Sequence, residues 1–356
     1  MLKKSVMIGM SGGVDSSVAA ALLVQNGYDV IGVTMKLWDE EGQVTDSMCC
    51  SLDAVNDAKR VADIIGIPHY VFNFKEEFQT NVINYFIREY TLGHTPNPCI
   101  ACNKHIKFDL FLKKAQAMGI DYIATGHYAK TELCGETGRW LLKRSQAVLK
   151  DQTYVLYGMT QQQIEHTLFP LGDFEKKDEV RKIAEELGLK VANKPESQEI
   201  CFVDGDYGYY IESRQTGISK PGSFVDTNGK VLGRHKGIVH YTIGQRKGLG
   251  VALGKPVFVT AIDTAKNQVV LGDENEIFTD ELIAGDVNLI PFEKLETEMK
   301  LTAKIRYSAK EAKACISPLS NGQIKVKFEQ KQRAVTPGQA VVFYQGDIVV
   351  GGGTIV

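Results

Sequence analysis

The sequence predicts an α/β protein in three parts: a doubly wound parallel-sheet domain over residues 1–208, a small central β-rich domain over 209–280 and a C-terminal β-barrel over 281–356. Three observations predict it. Over the first part, short apolar runs alternate with segments of helical period, the signature of repeated βα units and a sheet covered on both faces. Near residue 209 Gly, Pro and Asn become frequent and short alternating strands take over. A second break falls near Thr279–Gly285.

The elements follow in order. Val6-Met7-Ile8-Gly9-Met10 is a buried strand, and Ser17 to Leu23 a helix. Tyr28 to Met35 is a second strand. Asp53 to Ile65 has helical spacing at Ala54, Ala58, Val61, Ala62 and Ile65 and stops at Gly66. His69 to Phe74 is a third strand, Glu77 to Tyr90 a long helix, Ile106 to Met118 another helix, and Tyr122 to Thr125 a fourth strand. Thr160 to Leu187 reads as helical. Lys230–Leu232, Val257–Asp263, Gln268–Leu271, Leu301–Tyr307, Gln323–Phe328 and Ala340–Tyr344 read as strands of hairpins and small barrels. In such a fold a ligand lies at the carboxyl ends of the parallel strands. Met35 and Gly126 follow two of those ends.

No apolar run reaches membrane-spanning length. Met1 to Lys4 lead straight into the first strand, leaving no room for a signal peptide. Seven cysteines, an odd number, fit reduced thiols and a cytoplasmic home. The net charge of −2 argues against nucleic acid, but its distribution does not. Residues 1–208 carry 22 Lys and Arg against 28 Asp and Glu, whereas residues 209–356 carry 19 against 15. Between Thr227 and Lys255 lie Lys230, Arg234, Lys236, Arg246, Lys247 and Lys255 without one acid. Such a stretch can hold a phosphate backbone, or be a solvated face.

Ser11-Gly12-Gly13-Val14-Asp15-Ser16 is the most informative segment. It joins a buried strand to a helix start, where two glycines bring backbone N–H groups close to an anion and the helix adds positive partial charge. It lacks the Gly-Lys-Ser/Thr of a Walker A loop and the spacing of the dinucleotide fingerprint. It resembles the pyrophosphate loop (S-G-G-x-D-S) of the ATP pyrophosphatase superfamily, whose members cleave ATP between the α and β phosphates and adenylate an oxygen. Asp15 beside phosphate calls for Mg²⁺ as a bridge.

Cysteine is the second signal. In Thr95-Pro96-Asn97-Pro98-Cys99-Ile100-Ala101-Cys102-Asn103 the prolines stiffen a turn, and two cysteines stand just before the helix read from Ile106, with Lys104 and Lys107 close by. A thiol at a helix N-terminus has a lowered pKa. The same C-x-x-C also suits half of a structural zinc site, although only Cys49-Cys50, poorly spaced, offers a second pair. Cys201, in Pro195 to Phe202, reads on its own as a buried core cysteine.

Taken together, Gly9 to Ser16, Thr95 to Phe108, Gly126-His127-Tyr128, Lys150-Asp151-Gln152, Ser197 to Val203, Tyr241 to Gly250, Arg306-Tyr307 and Thr336 to Ala340 resemble the tRNA-specific 2-thiouridylases over essentially the whole chain. The resemblance implies ATP-dependent sulfuration of C2 of a wobble uridine. It implies ATP binding by Gly9, Met10, Ser11, Gly12, Gly13, Val14, Asp15, Ser16, Met35 and Gly126. It implies tRNA contacts from Asn97, Pro98, Cys99, His127, Lys150, Asp151, Gln152, Arg306, Tyr307 and Gln339. Cys201 would carry a persulfide from a donor protein, a cysteine desulfurase or a relay. Cys102 would be its partner, and a Cys102–Cys201 disulfide would remain after turnover. The protein would act as a monomer. The family motif carries Asp where this chain has Cys99. Cys99, Cys102 and Cys201 could therefore also ligate a [4Fe–4S] cluster. An amide-forming synthetase and a non-catalytic carrier are the rival readings, and neither needs both Cys102 and Cys201.

Overall fold

The computed structural model describes residues 3–38, 52–194, 200–215 and 217–356. Cys49, Cys50 and the Ser197–Glu199 part of the Cys201 motif lie outside them.

Val6, Met7 and Ile8 of the Ser5–Gly9 strand are fully buried, as the unbroken apolar run requires. Because side chains alternate along a strand, Val6 and Ile8 enter one core with Val14, Val18, Val61 and Val180, while Met7 enters the opposite one with Phe78, Phe86, Ile106 and Phe108. The sheet is thus covered on both faces. Its five strands run in the order His69–Asn73, Asp29–Lys36, Ser5–Gly9, Tyr122–Ala124, Thr167–Leu168, all parallel. The winding reverses beside Ser5–Gly9, so the carboxyl ends of Ser5–Gly9 and Tyr122–Ala124 open a crevice between them.

Four elements differ from the sequence reading. The second long helix starts at Pro98 rather than near Ile106: Pro98–Cys102 runs through a π segment, Asn103–Leu110, into Phe111–Ala117. The segment 160–187 is not one helix. Gln161–Glu165 and Lys177–Glu186 are helices, and between them Thr167–Leu168 adds a strand to the sheet. Two residues are too few to print a strand period. Ala129–Leu133 and Trp140–Arg144 form a hairpin whose partner, the Ile348–Ile355 strand, is at the far end of the chain. Finally, Phe278–Leu289 is one strand, whose pairing shifts register between Thr279 and Glu281 and between Gly285 and Asn288.

The central sheet has the order Phe258–Asp263, Gln268–Gly272, Gly222–Asp226, Val231–His235. The last part is a closed barrel. Phe278–Leu289, Ile324–Arg333, Ala312–Pro318, Met299–Lys304, Ala340–Gln345 and Ile348–Ile355 pair in turn, and the sixth pairs again with the first. The parallel-sheet domain and the barrel share one core, in which Phe78, Phe86, Phe108, Cys102 and Tyr154 lie with Val342 and Tyr344. Each large buried side chain there contributes roughly 1.5–3 kcal/mol. The buried Tyr154 hydroxyl donates to the Ala340 carbonyl at 2.8 Å. The helix that carries Cys102 is thereby held between both bodies. Among the described residues no helix is long and apolar enough to cross a membrane.

Candidate active site

The loop after the first strand is shaped by glycine and serine. Gly12 adopts φ +70, and a Cβ there would stand 2.4 Å from the Ala54 carbonyl oxygen. Gly13 is the extended N-cap of the Val14–Gln25 helix, and no side chain caps that helix. Its first N–H groups therefore remain available to an anion. The serines set the turn: the Ser16 hydroxyl accepts from Ser11 N at 3.2 Å and donates to Gly13 O at 3.2 Å, and the Ser17 hydroxyl donates to the same oxygen at 2.8 Å. Gly126 must be glycine, because a Cβ would lie 2.7 Å from Ser16 N and 2.8 Å from the Asp15 carbonyl carbon.

Asp15 keeps its carboxylate half-buried between two partners. Tyr128 Oη donates to Oδ1 at 2.9 Å, and Lys177 Nζ pairs with Oδ2 at 2.8 Å. The sequence reading assigned the whole task of offsetting this acid to Mg²⁺. In the structure Lys177, the first residue of the Lys177–Glu186 helix, takes it on. A lone lysine in an amphipathic helix leaves no sequence signal, and only its inward-facing position could have flagged it.

The cysteine motif is a helix start. Asn97 is the N-cap, its Oδ1 accepting from Cys99 N at 3.1 Å and Ile100 N at 3.3 Å, and Pro98 occupies the first turn, where a missing N–H costs nothing. Cys99 and Cys102 therefore lie inside this helix rather than before it. Cys99 is exposed, Cys102 buried and Cys201 half-buried, and all three are thiols with no disulfide among the described cysteines. The disulfide expected after turnover is therefore not present. Phe202, next to Cys201, packs edge-on against Phe78 at 5.6 Å and Phe86 at 5.5 Å, both on the helical stretch that precedes the cysteine helix.

One cavity of about 270 Å³ unites these pieces. Gly9, Met10, Ser11, Asp15, Ser16, Met35 and Gly126 line one part of it, and Pro98, Cys99, Cys102, Cys201, His127 and Gln152 another. Gly12, Gly13 and Val14 are not among its lining residues. Thr34, Phe78, Val82 and Lys107 also line it and carry no motif in the sequence. His127 holds Thr125 Oγ1 at 2.8 Å, and burial, followed by the nearby Lys107 charge, drives its pKa well below 6.5. It is a neutral ring at neutral pH. The three cysteines share the cavity but are not a ligand set. Among the described residues no three His, Cys, Asp or Glu side chains stand close enough to hold a metal. The expected three-thiolate cluster site is not formed.

The remaining residues expected at RNA lie outside the cavity, and several serve the fold. Asn97 lines a second cavity on the other side of its helix. Asp151 accepts from Thr153 Oγ1 at 2.6 Å and Ser145 N at 3.2 Å, and burial pushes its carboxyl pKa up. Arg306 donates to the Arg333 carbonyl, and Gln339 Nε2 to the Thr95 carbonyl at 2.8 Å. Tyr307 is 45% exposed, and Lys150 ends an exposed turn after Val148 and Leu149. Lys230, Arg234, Lys236, Arg246, Lys247 and Lys255 are all exposed. Lys255 pairs with Asp273 at 2.6 Å, and Lys236 approaches Asp206 at 3.9 Å.

Residues 4–205 match the family described as tRNA methyl transferase HUP domain, 214–273 the tRNA methyl transferase PRC-barrel domain and 279–355 the aminomethyltransferase beta-barrel domain. The tRNA-specific 2-thiouridylase MnmA of Acetivibrio thermocellus is 60% identical over 359 residues, covering 100% of both chains. That of Clostridioides difficile is 60% identical over 356 residues, covering 99% of this chain and 98% of the other.

Proposed function

This chain belongs to the tRNA-specific 2-thiouridylase family, and from that premise we propose that it is a tRNA-uridine 2-sulfurtransferase that activates uracil O2 with ATP and delivers sulfur from a Cys201 persulfide. The observation that carries the reading is that Cys102, Cys201 and the phosphate loop line one cavity. A carbonyl oxygen is a very poor leaving group, so the chemistry needs adenylation first. O2 attacks the α-phosphorus, the bond to the β-phosphate oxygen breaks and pyrophosphate leaves. The terminal sulfur of the Cys201 persulfide then attacks C2, and AMP departs with O2. The Cys102 thiolate attacks Cys201 Sγ, the S–S bond to the new C2 sulfur breaks, and 2-thiouridine is released beside a Cys102–Cys201 disulfide for reduction.

Each residue has a role in this reading. The N–H groups behind Gly12 and Gly13 bind phosphate, with Met35 and Gly126 at the adenosine. Asp15 is the loop's carboxylate and would stand beside a phosphate-bound Mg²⁺, which would supply charge neutralisation there. Neutral His127, Pro98, Cys99 and Gln152 border the extruded base. Lys150, Asp151, Arg306, Tyr307, Gln339 and the basic stretch from Lys230 to Lys255 face the RNA. Residues 1–208 hold the chemistry, and 209–280 and 281–356 are RNA-facing modules. A persulfide-bearing donor protein loads Cys201 in the cytoplasm, where thiols stay reduced. The persulfide is favoured over a three-thiolate cluster because no three ligands converge among the described residues.

Pyrophosphate release from ATP tests the reading. It is expected to require unmodified tRNA. Release that is indifferent to tRNA, or none with tRNA present, contradicts it.

A further inference from the structure

Val148 and Leu149 stand in water, and the fold supplies no reason for it. They are 79% and 97% exposed, side by side on the Val148–Lys150 turn. A single exposed apolar side chain is ordinary, but an adjacent pair at the tip of a braced turn is something folding does not reward. The bracing is thorough. Ser145 and Ala147 beneath the tip are buried. Gln146 N donates to the Gly172 carbonyl at 2.9 Å, Lys150 N to the Ala147 carbonyl at 2.8 Å, and Ser145 N to Asp151 Oδ1 at 3.2 Å. Gln152, just beyond, lines the cavity. Its backbone N–H donates to the Tyr128 carbonyl at 3.0 Å, and its Oε1 accepts from Tyr128 N at 3.0 Å. The chain from Leu149 to Gln152 therefore leads from open solvent to the cavity wall as one pinned piece.

The chemistry around the tip fits single-stranded nucleic acid. Lys150 adjoins it, while the acid of the segment, Asp151, keeps its carboxylate inside on Thr153 and Ser145. The Tyr307 hydroxyl donates to the Asp151 carbonyl at 3.5 Å. Lys304 Nζ stands 5.4 Å from the Tyr307 ring centre and 5.9 Å from that of Tyr154. Apolar and aromatic faces set among cations are what unpaired bases and their phosphates bind. A base drawn into the cavity leaves a gap between its former neighbours, and an apolar side chain that fills such a gap offsets part of the unstacking cost.

We propose that Val148 and Leu149 form an apolar wedge that enters the tRNA loop beside the target uridine and packs against the neighbouring base while the uridine occupies the cavity. The proposal rests on the thiolation reading for the identity of the RNA.

The test uses the full chain with Val148→Ser and Leu149→Ser together, since such exposed positions change at little cost to folding. The probe is a tRNA with 2-aminopurine at the nucleotide that follows the target uridine, a base whose fluorescence rises when it loses a stacked neighbour. Wild-type protein is expected to produce the rise. The double variant is expected to lose most of it and to bind the tRNA about three- to tenfold more weakly. The slope of log affinity against log salt should stay the same, because no charge is removed. A double variant that raises the fluorescence as the wild type does overturns the proposal, and so does wild-type protein that binds the tRNA without any rise. A loss confined to sulfur loading from a donor protein, with RNA binding and fluorescence intact, assigns the tip to that protein and overturns the wedge as well. A full rise from wild-type protein that forms no 2-thiouridine would leave the wedge standing and remove the thiolation reading.

Discussion

The side-chain amide of Gln339, in the C-terminal barrel, donates to the carbonyl oxygen of Thr95 at 2.8 Å, and Thr95 N donates in turn to the Pro337 carbonyl at 2.8 Å. Gly338 between them packs so closely that a Cβ would lie 2.9 Å from His94 Cβ. The barrel thus clasps the segment that leads into the Asn97 cap and the Cys102 helix. Gln339→Ala should cost about 1 kcal/mol of stability, the net worth of one hydrogen bond, and lower the thiolation rate while leaving ATP affinity unchanged. Urea unfolding and ATP titration check the two halves. An equal loss in ATP affinity would place the effect elsewhere.

Asn97→Ala removes the cap of the same helix. A lost cap costs about 1 kcal/mol. Because the buried Cys102 lies within the next turn and a half, the expected result is faster alkylation of Cys102, as the loosened helix end exposes it, together with lower stability. Thermal melts and thiol-alkylation rates measure both.

Gly126→Ala forces a methyl group against Ser16 N at 2.7 Å, a backbone atom that cannot step aside cheaply. ATP affinity should fall by about tenfold or more while RNA affinity holds, since the clash is with the phosphate loop. Isothermal titration with each ligand separates the two effects.

His127 carries a pH signature. Its pKa in the folded chain is depressed below 6.5 by burial and then by Lys107. The unfolded chain therefore binds more protons between the two values, and stability falls as pH drops below 6.5, by up to about 1.4 kcal/mol per unit until the folded pKa is reached. His127→Gln should flatten this part of the curve of urea midpoint against pH. A midpoint that keeps the wild-type slope in the variant would show that other groups produce it.

Binding of tRNA should weaken steeply with salt, because the exposed Arg246 and Lys247 stand in a stretch free of acids. Replacing both with Ala is expected to shallow the slope of log affinity against log salt by about one to two, through fewer released counterions. A filter-binding titration reads it directly.

Much of this was legible beforehand, and the exceptions have physical causes. The phosphate loop showed itself because strand, glycines and helix start are contiguous, and the local chain alone sets their conformation. The start at Pro98 was missed although Asn before Pro is a helix-start signal. Two prolines in a row of four residues also describe a turn, and the helix continues only because its apolar side is buried against Phe78 and Phe86. The Ala129–Arg144 hairpin is completed by Ile348 across from Lys143, a pairing no local window contains. Lys177 meets Asp15 through the packing of two helices far apart in sequence, so neither residue announces the other. Cys201 reads as a core cysteine by itself, and it lines the cavity where Phe202 packs beside Phe86.

The central claim is that the Cys102 and Cys201 thiols act together on one base in one cavity. Mass spectrometry of tRNA nucleosides after reaction with ATP and a sulfur source tests it most directly, with wild type set against Cys102→Ala and Cys201→Ala. Abundant 2-thiouridine from the wild type and at most trace amounts from each variant is the predicted result. Undiminished 2-thiouridine from either variant would contradict the account.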